Sequence, residues 1–381
     1  MKPFRKTILS QPSWGISTRE VALWLTQTGG MLGPVSFHFG RRQVLPFSVA
    51  PWHSEKLDSS IPPILRVLRG DFFCMPFGAN TTRFGREHHP IHGECANGRW
   101  KLVAGEQSRD GARLECTFEG RIRKVHVRKI IELRSGHHAI YQRHVVTGAG
   151  GPMCFGQHAM LKFPDAPGSG LISTSPFKLG QVFPEPVERP ENRGYSALRP
   201  GAEFESLTSV MTLTGEPADL STFPARRGFE DLVILAADDL LEFAWSAVVI
   251  PSQRWVWFSI RDPKVLASTI LWISNGGRHY PPWNGRHVNV MGIEDVTANF
   301  HYGLAESVQE NPLSRRGVRT CVELKARAPL VVNHIMAVAE VPAGFDRVEQ
   351  MAPGDGGVTL RSTSGTGVYV PLDLSWLRGG S

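Results

Sequence analysis

The feature that most constrains this chain is its punctuation. Short apolar or alternating runs follow one another along nearly its whole length, many of them closed by Gly, Pro or Asn. The pattern starts with VALWLTQTGGMLGPVSFHFGRRQVLPFSVAPW, whose glycine breaks are spaced for a meander of short antiparallel strands. Strand-like segments recur at 99–104, 113–118, 122–133, 139–147, 156–163, 207–214, 231–235, 243–250, 255–260, 268–273, 288–293, 319–324 and 331–341. Part of IRKVHVRKIIEL alternates at the two-residue period of a sheet with one wet face. Only 62–68 and 297–307 read as helical. Many short strands with so little helix indicate an all-β sandwich or barrel. The Pro/Gly-rich run 164–200 reads as a long excursion with little strand signal. With no internal repeat and no change of strand spacing, residues 1–381 read as one domain.

Composition narrows the partners. Charged residues make up 20% of the chain and hydrophobic residues 41%, which is globular and carries no disorder signature. The net charge of +7 comes from 42 basic residues scattered among 35 acidic ones, without a like-charge run, so nucleic acid is not an expected partner. The five cysteines (Cys74, Cys95, Cys116, Cys154 and Cys321) form no CxxC pair and read as reduced core residues. No signal-like or membrane-spanning run is present, and the expected location is the cytoplasm with no membrane partner.

Chemistry concentrates in WISNGGRHYPPWNGRHVNVMGIEDVTAN, residues 272–299. An apolar run breaks into a turn-rich loop carrying His279, Tyr280, Trp283, Asn284, Arg286 and His287, then returns to apolar residues around Glu294. Aromatic faces and planar donors on turns suit a carbohydrate, which offers C–H faces to stack and hydroxyls to bond. Trp283, held stiffly by Pro281–Pro282, is a candidate stacking platform; its alternative role is a hydrophobic lid. Glu294, set among Met291, Gly292, Ile293 and Val296, is expected in a partly dry place that raises its basicity.

Three further polar stretches lie at strand ends: LRGDFFCMPFGAN, HHPIHGECANGRW and GQHAMLKFP. Their histidines lack HExxH spacing and have no cysteine pair beside them, so no metal is assigned. No GxSxG elbow and no phosphate-cradling glycine loop occurs.

Taken together, GGMLGPVSF, the Arg69 stretch with His92–Gly93, the pair Gln157–His158, FED at 229–231 and the late GIED resemble the galactose mutarotase-like superfamily, the aldose 1-epimerases, in chain order. The loop WISNGGRHYPPWNGR departs from the galactose branch and marks a divergent one. The resemblance implies a β-supersandwich of two large antiparallel sheets with a cleft on one of them. It implies that His158 protonates the sugar ring oxygen and Glu294 takes the anomeric proton. It implies that Arg69 and His92 hold sugar hydroxyls, with Asp231 or its neighbour Glu230 as a sugar-binding acid. Otherwise, Arg69 would be an ion partner of Asp71 or Glu94 and His92 an ordinary loop histidine.

The chemistry is consistent with the residue types. Interconverting anomers means opening a hemiacetal, with a base on the anomeric hydroxyl, an acid on the ring oxygen, and no cofactor. His158 and Glu294 are expected to flank the sugar edge without touching. The readings carried forward are a mutarotase acting on a free hexose or related sugar, another sugar isomerase or lyase using the same cleft, and a non-catalytic sugar-binding or regulatory protein of this fold.

Overall fold

The computed structural model describes residues 3–379. Two large antiparallel sheets dominate it. The first, called here the site sheet, has seven strands in the order Glu203–Phe204, Phe177–Val182, Phe229–Ala237, Ser268–Asn275, Val290–Thr297, Phe155–Lys162 and Phe73–Cys74. The second has nine and is centred on Trp255–Arg261, Leu330–Glu340 and Ala139–Thr147. The expected all-β class and the pair of large sheets are both present. Helix among the described residues is confined to short pieces such as Pro63–Val67 and Leu304–Val308.

Burial follows which faces are covered. Gly111–Glu119, towards one edge of the nine-stranded sheet, alternates buried and half-buried residues. Ser268–Asn275 and Val290–Thr297, central in the site sheet, are buried at every position, as strands are when both faces are covered. Leu330–Glu340 feeds two cores: Val332, Met336 and Val338 join the cluster shared with the site sheet. The alternate residues Ile335, Ala337 and Ala339 pack under a C-terminal three-stranded meander, Val348–Gly354, Gly357–Ser362 and Gly367–Pro371, together with Trp376. That meander lies beyond the last strand read from the sequence.

Three boundaries differ from expectation. The stretch 164–200 holds two paired strands, Gly170–Thr174 and Phe177–Val182, which join the two large sheets; only the part after Val182 is an excursion. Thr297 ends a strand, and helix begins only at Leu304. Glu294 is not at a strand end but inside Val290–Thr297, because Glu294 and Asp295 point to opposite faces of a strand that keeps its pairing on both sides.

Candidate active site

The site sheet brings the two best sequence candidates together by register. His158 and Glu294, 136 positions apart, are directly opposite on neighbouring antiparallel strands. Side chains so placed have Cβ atoms about 5 Å apart, and His158 Nε2 lies 3.1 Å from Glu294 Oε1. The expectation that they stand apart is therefore corrected: directly opposed residues on one face have no room for a sugar edge between them, so a ligand must lie across both tips. Gly292 shapes the contact, since a Cβ there would stand 2.6 Å from Glu294 Oε1 and 3.1 Å from Trp272 Cβ.

The pair lies against a cavity of about 370 Å³. Around it, the His158 ring stacks on Phe72 with centroids 4.5 Å apart. His92 stands edge-on to His158 at 5.0 Å, and His301 lies 4.8 Å from His92. His92 sits in the left-handed region ahead of Gly93, where a Cβ would strike the Met75 carbonyl oxygen at 1.9 Å, so only glycine lets the chain pass there. Burial sets the electrostatics. Glu294 is pushed well above the usual carboxylate range by desolvation, against which the Arg278 charge acts. Desolvation and the nearby His301 hold His158 down at about 3. His301 itself is lowered to about 4 and His92 falls well below its ordinary value, both chiefly through burial. Burial thus favours the uncharged form of both partners, a protonated Glu294 and a neutral His158.

A second cluster lines the same cavity. The Arg278 guanidinium lies over the Trp283 ring at 4.6 Å and the Trp272 ring at 5.4 Å. Its Nε donates to Glu188 Oε1 at 2.6 Å, and the Tyr280 hydroxyl donates to the same oxygen at 2.9 Å. Behind Trp272, Glu230 accepts hydrogen bonds from Trp272 Nε1, Ser274 Oγ and the Gly277 amide. Burial raises Glu230 to about 7 despite Arg278 nearby.

The other sequence candidates divide. His92 and Trp283 line the cavity with His158 and Glu294. Trp283 is 5% exposed and packed edge-on against Trp52, Trp272 and His287, so it forms a wall more than a free plate. Arg69 is not part of this lining. Leu68 lines the cavity, the next residue pairs with Val49, and the Arg69 side chain turns away to donate to the carbonyls of Val67, Ile8 and Leu9. Neither Asp71 nor Glu94 is its partner in these bonds. Asp231 also lies off the cavity, accepting the Ala197 and Leu198 amides through Oδ1. Neither acid lines the cavity: Glu230 lies behind Trp272 on the face it shares with the cavity-lining Leu232, and Asp231 lies on the opposite face.

Sequence reasoning missed Arg278, Glu188 and His301. Arg278 sits in the quoted loop directly after Gly276–Gly277, and His301 follows Glu294 closely; both were visible as residue types. Glu188 carried no signal, because it reaches the site from an irregular excursion. Cys74, Cys95, Cys116 and Cys154 are buried free thiols and Cys321 is half-buried. Among the described residues, no group of three or more His, Cys, Asp or Glu has metal-holding geometry, and no helix is long and apolar enough to cross a membrane.

No protein-family model and no curated protein sequence matches the chain. Its fold does match solved structures. A proposed aldose 1-epimerase from Klebsiella pneumoniae superposes with a TM-score of 0.62 at 14% identity, covering 89% of this chain and 83% of that one. A proposed mutarotase from Salmonella typhimurium gives 0.58 at 11% identity over 89% and 94%. A galactose mutarotase-like protein from Clostridium acetobutylicum gives 0.55 at 11% identity over 89% and 98%. The chain has the galactose mutarotase-like fold.

Proposed function

We propose that this protein is an aldose 1-epimerase-like mutarotase that interconverts the anomers of a monosaccharide by acid/base ring opening, without a cofactor. The observation that carries the reading is the buried His158–Glu294 contact, 3.1 Å long, at the cavity wall. In its ion-paired form, Glu294 is a carboxylate and His158 an imidazolium, with the same proton count as the neutral form. A hemiacetal edge lying across both tips gives its anomeric hydroxyl proton to Glu294 while His158 protonates the ring oxygen. The C–O bond breaks and the open aldehyde forms. After rotation about C1–C2, Glu294 returns its proton to the carbonyl oxygen and His158 takes back the one on the ring hydroxyl as the ring closes on the other face. The pair ends as it began. A site shielded from water strengthens both transfers.

In this reading His92 holds a sugar hydroxyl, Trp283 walls the sugar face, and Arg278, fixed by Glu188, biases Glu294 toward its charged form. Arg69 and Asp231 act from outside, Arg69 by fixing the chain after Leu68. The 3–379 fold then works as one mutarotase-like domain. Proton NMR with saturation transfer between anomeric resonances tests the reading. Catalysed exchange is expected for the wild type; a sugar that binds in the cavity with no change in exchange would favour a non-catalytic binding protein.

A further inference from the structure

Resting on that reading, we propose that the cavity is built for an uncharged sugar with an apolar flank, of the deoxy class, and not for a fully hydroxylated or phosphorylated hexose. Three observations carry this. First, the charges are spent. Arg278 is the only Lys or Arg among the described residues that line the cavity, and its guanidinium is bound to Glu188 with Glu230 3.9 Å away. A phosphate would find one cation already offset by two acids.

Second, the polar groups that can meet a ligand are gathered together. His158 and Glu294 touch, His92 and His301 stand beside them, and Tyr280 is committed to Glu188. Third, much of the remaining wall is hydrocarbon. Ile64, Leu65 and Leu68 come from one short helical turn and its flank, Ile91 from the loop before His92, and Phe183 and Val187 from the excursion after Val182. Leu65, Ile91, Phe183 and Val187 are only half-buried although packed against the core, so they keep apolar surface for a ligand to cover.

A hydroxyl pressed on such a wall loses its water without gaining a partner, whereas a C–H or methyl group there gains from burial. An apolar wall of this kind separates a ligand from its hydroxylated counterpart by about 10–10² in kcat/KM.

The test uses D-galactose and D-glucose, their 4-deoxy and 6-deoxy forms, and their 6-phosphates, read by anomeric exchange and by calorimetry. The expected result is at least one deoxy sugar exchanged about tenfold or more faster in kcat/KM than its parent, with the phosphates slowest. Exchange of the parents at or above all deoxy forms, or fastest exchange of a phosphate, would overturn this inference while leaving the mutarotase reading intact. If nothing in the panel exchanges, the catalytic reading fails, and calorimetry decides the specificity: tighter deoxy binding upholds it, and no binding overturns it. Leu65→Asn should bring the deoxy-to-parent ratio back toward one; a ratio unmoved in a folded variant would contradict the assigned wall.

Discussion

Glu294 and Asp295 are neighbours on one strand, and their surroundings are opposite. Asp295 faces the nine-stranded sheet. It meets Arg261 Nη1 at 2.7 Å, His334 Nε2 at 2.8 Å, Ser259 Oγ at 2.9 Å and Thr269 Oγ1 at 2.8 Å. Those partners hold it down at about 2 although burial alone would raise it. Glu294 faces the cavity with His158 as its close partner, and burial wins. A saturated carboxylate is a structural tie. One left under-partnered beside open volume keeps a proton to exchange.

The sharpest way to break this comparison is to neutralise each acid in turn. Asp295→Asn leaves the buried Arg261 charge uncompensated and should cost about 3–5 kcal/mol of stability. Glu294→Gln, with no buried cation to orphan, should leave the urea midpoint unchanged or slightly raised. Equal losses in the two variants would erase the distinction between the faces.

Gly292→Ala probes the cavity face alone. The added methyl displaces the Glu294 carboxylate, and a misplacement of about 1 Å costs roughly 10²-fold in turnover. Exchange at the wild-type rate in this variant would mean that the carboxylate position does not matter.

Stability against pH separates the two faces again. His158 and His287 are held at about 3, His301 at about 4 and His92 well below 6.5. Because their folded values lie below 6.5, the stability they contribute is present above pH 6.5 and is lost as pH falls from there toward 3–4. Each adds a slope of up to ~1.4 kcal/mol per pH unit. His144, between the sheets, adds in the same sense. Glu230 and Glu294, with raised values, oppose them but are fewer. Urea midpoints should therefore drop between pH 7 and 5. The Asp295 contribution persists there and is lost only as pH falls from 3.8 through about 2. A midpoint flat from pH 7 to 5 would contradict the dry state of these buried histidines.

The smallest effect is expected at the aromatic wall of the cavity. Trp283→Ala should weaken sugar binding by on the order of 0.5–1.5 kcal/mol, read by calorimetry. An unchanged dissociation constant would reduce Trp283 to packing.

These contrasts also explain what could be read from the chain alone. The all-β class was legible because strand periodicity and glycine punctuation are local. His158, Glu294 and His92, which the resemblance singled out, line one cavity together with Trp283, which was read from the aromatic loop itself. The outward turn of Arg69 and the faces taken by Glu230 and Asp231 were not legible, because a shift of one residue flips a side chain to the other face. The contact between His158 and Glu294 needs the register of two strands that sequence does not pair. Glu188 lies in an excursion whose path is fixed by tertiary bonds to Arg278 and Tyr280, with no periodicity to announce it.

The central claim is that Glu294 and His158 pass protons to and from a sugar hemiacetal. The measurement is anomeric exchange by saturation-transfer NMR on the wild type, Glu294→Gln and His158→Asn, with binding followed separately. Each single variant should lose about 10²–10⁴ in turnover while still binding sugar, and the double variant should be little worse, since both transfers serve one ring opening. Glu294→Gln exchanging anomers at the wild-type rate would contradict the account.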